Sequence, residues 1–114
     1  MNRYASVLNS QSIPETDVPQ TATALLGGTT QIVDVREPDE WAEGHMPGIR
    51  HIPLRDLAGR LGELDPAVPV IAVCRSGKRS LTAADILIKG GFTDAKSMAG
   101  GMIAWSAAGE PVEQ

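Results

Sequence analysis

Seven consecutive residues, Cys74-Arg75-Ser76-Gly77-Lys78-Arg79-Ser80, combine a nucleophile with cations and a glycine. Cys74 is the one cysteine, and three of the chain's ten basic residues fall between Arg75 and Arg79. The whole chain carries a net charge of −4, so this local reversal needs a local reason. A loop that curls around Cys74 turns its backbone N–H groups inward as an anion nest. Gly77 permits the backbone conformations that such a curl demands. A helix starting at Arg79 or Ser80 adds the positive end of its dipole. A cysteine so placed ionises more easily than its reference value of about 8.5 suggests. The same cradle suits a sulfonate, phosphate or arsenate. An activated thiolate beside an anion cradle predicts group transfer from an anionic donor. The plainer reading is a small buried core cysteine. The strand–loop–helix context, the glycine and the three charges weigh against it.

The elements around this loop follow from pattern. Pro69 to Val73 is continuously apolar after its proline, as a central parallel strand is. Cys74 ends it. A helix over Arg79 to Lys89 follows, with Leu81, Ala84, Leu87 and Ile88 on one side and Gly90-Gly91 as its stop. Upstream, Asp17 and Pro19 start a helix that Gly27-Gly28 ends. Gln31 to Val35 reads as a buried strand. Glu37-Pro38-Asp39-Glu40 opens a short acidic helix that Gly44 stops. Pro47-Gly48 makes a corner, and Ile49 to Ile52 a short strand. Leu54, Leu57, Leu61 and Leu64 predict one amphipathic helix over 54–64, which Gly59 and Gly62 weaken. A weak strand at Ala95 to Met98 precedes Gly100-Gly101 and a last short helix with Ile103, Ala104 and Trp105. Residues 1–13 are expected to form a tail or a short edge strand near Ser12 and Ile13, and 14–114 a single domain. Alternating strands and helices with short connections predict an α/β layer fold with a mainly parallel sheet. Ligands in such sheets bind at the carboxyl ends of the strands, where Cys74 sits.

Three separated segments resemble a single-domain rhodanese, a sulfurtransferase. The first is Asp34-Val35-Arg36-Glu37, continuing through Glu40-Trp41 and Gly44-His45-Met46-Pro47-Gly48 to Ile52-Pro53. The second is the Cys74 to Ser80 loop. The third is Gly100-Gly101-Met102 with Ala104-Trp105. The resemblance spans about residues 15 to 110. It implies a three-layer fold, with a five-stranded parallel sheet between helices on both faces. It also implies a mechanism in which the Cys74 thiolate takes the outer sulfur of thiosulfate or a related small anionic donor. A persulfide forms and sulfite leaves. A thiol, cyanide or protein acceptor then takes the sulfur. The loop amides and side chains of Arg75, Ser76, Gly77, Lys78 and Arg79 would bind the donor, with Ser80, Asp34 and Arg36 in support. With one cysteine, no internal thiol resolves the persulfide, so the acceptor is external.

Two rivals follow from related folds. Phosphatase-like loops read Cys-x5-Arg, whereas here Ser80 is sixth after Cys74 and Arg79 comes one place early. The shorter loop favours sulfur over phosphorus. Rhodanese-like domains that lose the cysteine serve as docking modules, but this chain keeps Cys74 and a basic loop.

Composition narrows the field. Aromatics at 4% and the acidic balance argue against nucleic acid and anionic membrane as partners. Two histidines and one cysteine are too few for a metal cluster, so neither metal nor cofactor is expected. No apolar stretch is long enough to span a bilayer and no leader-like region opens the chain, so a cytoplasmic location is the default. Asp34 and Arg36 are expected to pair structurally. His45 is expected to stabilise a turn, His51 to be structural or superficial, and Trp41 and Trp105 to anchor packing. Met46 and Met102 suit either the pocket mouth or the core. The acidic run from Glu37 to Glu43 reads as a solvated face.

Overall fold

The computed structural model describes residues 13–114. Its elements run β1 (Glu15–Thr16), α1 (Val18–Gly27), β2 (Gln31–Asp34), α2 (Pro38–Glu43), β3 (Arg50–His51), α3 (Leu54–Leu57), a 3₁₀ turn (Leu61–Glu63), β4 (Val70–Val73), α4 (Arg79–Lys89), β5 (Ala95–Met98) and α5 (Gly101–Ala107). The five strands form one sheet in the order β1-β5-β4-β2-β3. Every pairing is parallel.

Strand alternation divides the core in two, because successive side chains leave opposite faces. Val33, Val35, Val70, Ala72 and Ala95 pack with Leu57 of α3 and with Ala83 and Leu87 of α4. Ile32, Ile71, Val73 and Met98 pack on the other face with Val18, Met102 and Trp105, against α1 and α5. The fold is therefore the expected three-layer α/β arrangement. All four residues of β4 are buried, as a strand with neighbours on both edges and helices on both faces requires. Trp105 is fully buried, and its indole N–H donates to the Pro111 carbonyl at 2.8 Å.

The helix boundaries follow local chemistry. Asp17 caps α1, its carboxylate accepting from the Gln20 N–H at 2.9 Å, and Gly28 ends the helix in a left-handed conformation. Glu37 and Glu40 form a reciprocal capping box at the start of α2.

Two expectations need correction, and a third falls largely outside the described residues. Residues 54–64 are not one helix. They divide into α3 and a 3₁₀ turn, with the chain released at Ala58-Gly59. Two glycines in eleven residues cost more helical stability than one short apolar stripe returns. A paired edge strand lies at Glu15–Thr16, against Ser97 and Met98; the tail or edge strand expected over residues 1–13 lies outside the described residues but for Ile13, which is in no strand. The Ile49 to Ile52 strand shrinks to Arg50–His51, since it pairs only with the end of β2.

Candidate active site

The site is assembled at the carboxyl edge of the sheet, where β4, β2 and β5 end. Register fixes the neighbours: Asp34 pairs with Val73, and Ala72 with Ser97. Cys74 follows Val73 directly and is 1% exposed. The chain after it turns over the sulfur. The Gly77 N–H donates to Sγ at 3.1 Å, and the Ser80 N–H, in the first turn of α4, at 3.3 Å. The Ser80 hydroxyl lies 3.4 Å from the sulfur. It is in turn 2.7 Å from the hydroxyl of Ser97, and both serines are fully buried.

These contacts decide the acidity of the thiol. Burial alone pushes the Cys74 pKa up. The Ser80 hydroxyl and the amides of Ser80, Gly77 and Ser76 outweigh it and hold the thiol below its ordinary value. When Cys74 is a thiolate the Ser80 hydroxyl can donate to it, and the Ser97 hydroxyl, 2.7 Å from that of Ser80, can donate in turn to Ser80.

The loop closes because glycine sits where a side chain has no room. Gly77 has φ +97, and a Cβ there would approach the Gly100 nitrogen to 2.9 Å. Gly101 has φ +57, and a Cβ there would lie 2.3 Å from the Arg75 carbonyl oxygen. That close approach lets α5 donate its Met102 N–H to the Cys74 carbonyl at 2.8 Å and its Ile103 N–H to Arg75 at 3.0 Å.

The three loop cations take different positions. Arg75 and Lys78 are exposed. Arg79 is half-buried, and its guanidinium grips the Glu40 carboxylate in a bidentate pair at 2.7 and 2.8 Å. The acidic run is thus not simply a solvated face: Glu40 is held in toward the loop, and Glu37 pairs with Arg55. The Arg79 guanidinium, against the opposing cost of burial, holds the Glu40 pKa down to about 2.

Asp34 and Arg36 are buried at the end of β2. Asp34 accepts Arg36 Nη2 at 2.7 Å and its Nε at 3.0 Å, and also the Arg36 backbone N–H at 3.0 Å. The guanidinium then donates to the Glu40 and Gly44 carbonyls at 3.2 and 2.8 Å. The pair thereby fastens α2 to the sheet edge. Trp41 stacks on His45 and His51, with ring centroids 3.6 and 4.7 Å away. It is half-buried, so it anchors by stacking and not within the core. His45 Nδ1–H donates to the Trp41 carbonyl, and His51 Nε2–H to the Arg36 carbonyl, each at 2.8 Å. Met46 is wholly in the core.

Two contributors escaped sequence reasoning. Ser97 sits in a weak strand 23 positions beyond the cysteine in the sequence, with no local signal linking it to Ser80. Gly101 was visible as half of a glycine pair, but its contact with Arg75 depends on the fold.

The arrangement is that of a three-layer α/β domain with a cysteine nest at the end of its central strand. A profile of the Rhodanese-like domain family matches residues 18–108, and the chain belongs to that family. It is 37% identical over 87 residues to the thiosulfate sulfurtransferase GlpE of Pseudomonas aeruginosa strain LESB58, covering 76% of this chain and 79% of that one. It is 34% identical over 99 residues to the putative sulfur carrier protein YrkF of Bacillus subtilis strain 168, covering 86% of this chain and 54% of that one. Among solved structures, the solution structure of the rhodanese-like domain of an Anabaena protein superposes with a TM-score of 0.80 at 27% identity, over 88% of this chain and 78% of that one.

Proposed function

We propose that the protein is a sulfurtransferase that carries sulfane sulfur from a small anionic donor, such as thiosulfate, to an external acceptor on Cys74. The observation that carries this reading is the ring of donors on a buried sulfur: the Gly77 and Ser80 amides and the Ser80 hydroxyl. The likeness to a thiosulfate sulfurtransferase along most of the chain supports it.

The chemistry follows from the geometry. The Cys74 thiolate attacks the outer sulfur of thiosulfate. Its electron pair forms the new S–S bond, the old S–S bond breaks, and sulfite departs with that pair. The new terminal sulfur is anionic, and the loop amides gathered around Sγ are fixed dipoles that would stabilise charge beside it without reorganising. No general base is needed, because the thiol is already acidified. Arg75 and Lys78 draw the donor to the mouth of the loop. Arg79 serves differently: clamped by Glu40, it holds the first turn of α4 under the sulfur. With one cysteine in the chain, the persulfide waits for an outside thiol, cyanide or protein.

The test is sulfite release and thiocyanate formation from thiosulfate and cyanide. The account expects both from the native chain and neither from Cys74→Ser. Turnover of phosphate or arsenate esters with no thiocyanate would reject it.

A further inference from the structure

The active loop carries three cations, and Glu40 cancels one of them. Arg75 and Lys78 are exposed and enter no ion pair among the described residues. Arg79 differs: both of its terminal nitrogens are spent on the two carboxylate oxygens of Glu40. A guanidinium fork is the side chain best shaped to hold an oxyanion by two bonds at once. This one stands beside the sulfur, because Arg79 precedes Ser80, whose amide and hydroxyl reach Sγ. The Glu40 hydrogen bond raises the Arg79 pKa against burial, and the charges of Cys74 and Asp34 add to it, so the fork lies within electrostatic reach of the nucleophile.

Glu40 is anchored from its own side. Its carboxylate also accepts the Glu37 N–H at 2.9 Å, and its backbone carbonyl accepts from Arg36, which Asp34 fixes to the sheet edge. The carboxylate is therefore the fixed partner, and the guanidinium is the one held. Thiosulfate has two ends, a sulfane sulfur and a sulfonate of three oxygens. The amides around Sγ address the sulfur. The sulfonate depends on the loop's cations, and with Arg79 occupied it is left the two solvated ones, Arg75 and Lys78.

We infer that Glu40 is a specificity-determining residue, which withholds the Arg79 guanidinium from the oxyanion end of a sulfur donor and so favours persulfide donors that lack such an end. The inference rests on the sulfurtransferase reading above. Such a persulfide loads Cys74 by the same displacement. The Cys74 thiolate attacks its outer sulfur, the S–S bond breaks, and the thiolate of the donor departs with the electron pair. No oxidant or reductant is consumed.

The experiment uses the full chain and compares two donors. Sulfite release reports loading by thiosulfate, and the gain of one sulfur in intact mass reports loading by 2-hydroxyethyl persulfide, which has no oxyanion head. Glu40→Gln keeps an oxygen for the Glu37 N–H and loosens the fork. Its KM for thiosulfate should fall about threefold to fivefold, the range of one partly solvated ion pair, with kcat within about twofold. Half-saturation by 2-hydroxyethyl persulfide should not change. Damage to the loop would raise KM or lower kcat, so a fall in KM separates withholding from support. Glu40→Gln combined with Arg79→Gln should return the thiosulfate KM to within about twofold of native, since no fork is then left to release. Glu43→Gln makes the same change of charge on α2 without freeing a cation, and should also stay within about twofold. A thiosulfate KM that is unchanged or raised in Glu40→Gln, a gain that survives in the double variant, or an equal gain in Glu43→Gln would overturn the assignment of Glu40 while the sulfurtransferase reading stands. A native chain that releases no sulfite and gains no sulfur from either donor would bring down both.

Discussion

The backbone N–H of Met102 donates to the carbonyl of Cys74 at 2.8 Å, so the last helix is seated on the main chain of the buried cysteine. The active loop is therefore braced from two sides. α4 supplies the Ser80 amide to the sulfur, and α5 supplies amides to the carbonyls of Cys74 and Arg75. A loop held at both faces presents its donors without a rearrangement during reaction, which is what stabilises developing negative charge.

Gly101 makes that brace feasible, and Gly101→Ala tests it. The new Cβ would sit 2.3 Å from the Arg75 carbonyl oxygen at a φ of +57. The expected loss is about 2–4 kcal/mol of stability in urea denaturation, with sulfite release depressed further than stability alone explains. Gly109→Ala is the control. It has φ +75 but no atom near its Cβ, so it should cost about 1 kcal/mol and spare activity.

The acidity of Cys74 is checked by alkylation rate against pH. The thiolate midpoint should fall below the ordinary cysteine value. Ser80→Ala should move it up, because it removes the strongest opposing influence to burial. Ser97→Ala should move it the same way by less, since Ser97 acts only through Ser80. An unmoved midpoint in both variants would mean that the backbone amides suffice.

Glu40 links acid stability to the loop. Its carboxyl falls from 4.5 to about 2 in the folded chain. A depressed carboxyl contributes stability that is fully present above the unfolded value and is lost as pH drops toward the folded one. Glu40→Gln should therefore be less stable at neutral pH by about 1 kcal/mol, a figure discounted because Arg79 is partly in solvent. The difference should shrink between pH 4.5 and 2. Thermal melts across that range read it.

Asp34→Asn leaves the Arg36 guanidinium buried without its counter-charge. Breaking such a pair from one side costs about 3–5 kcal/mol. The variant should melt earlier in a thermal scan, and its α2 amides should exchange faster.

Much of this was legible in the chain itself. The continuous apolar run before Cys74 gave the central strand, and the acid–proline openings and glycine stops gave the helices. The Cys74 to Ser80 loop was legible because its charge contradicts its surroundings. What stayed hidden depends on contacts between segments distant in sequence. The Glu40–Arg79 clamp spans 39 positions and turned a seemingly solvated acidic face into a support for the loop. Ser97 needed the β4–β5 register to come beneath Ser80. The 54–64 segment misled because leucine spacing suggested a helix that two glycines had already undermined.

The central claim is that Cys74 carries sulfur, and intact mass after mixing with thiosulfate tests it most directly. The account predicts a gain of one sulfur atom in the native chain, removed by cyanide and absent in Cys74→Ser. An unchanged mass with thiosulfate and with a small-molecule persulfide, or an equal gain in the Cys74→Ser variant, would contradict it.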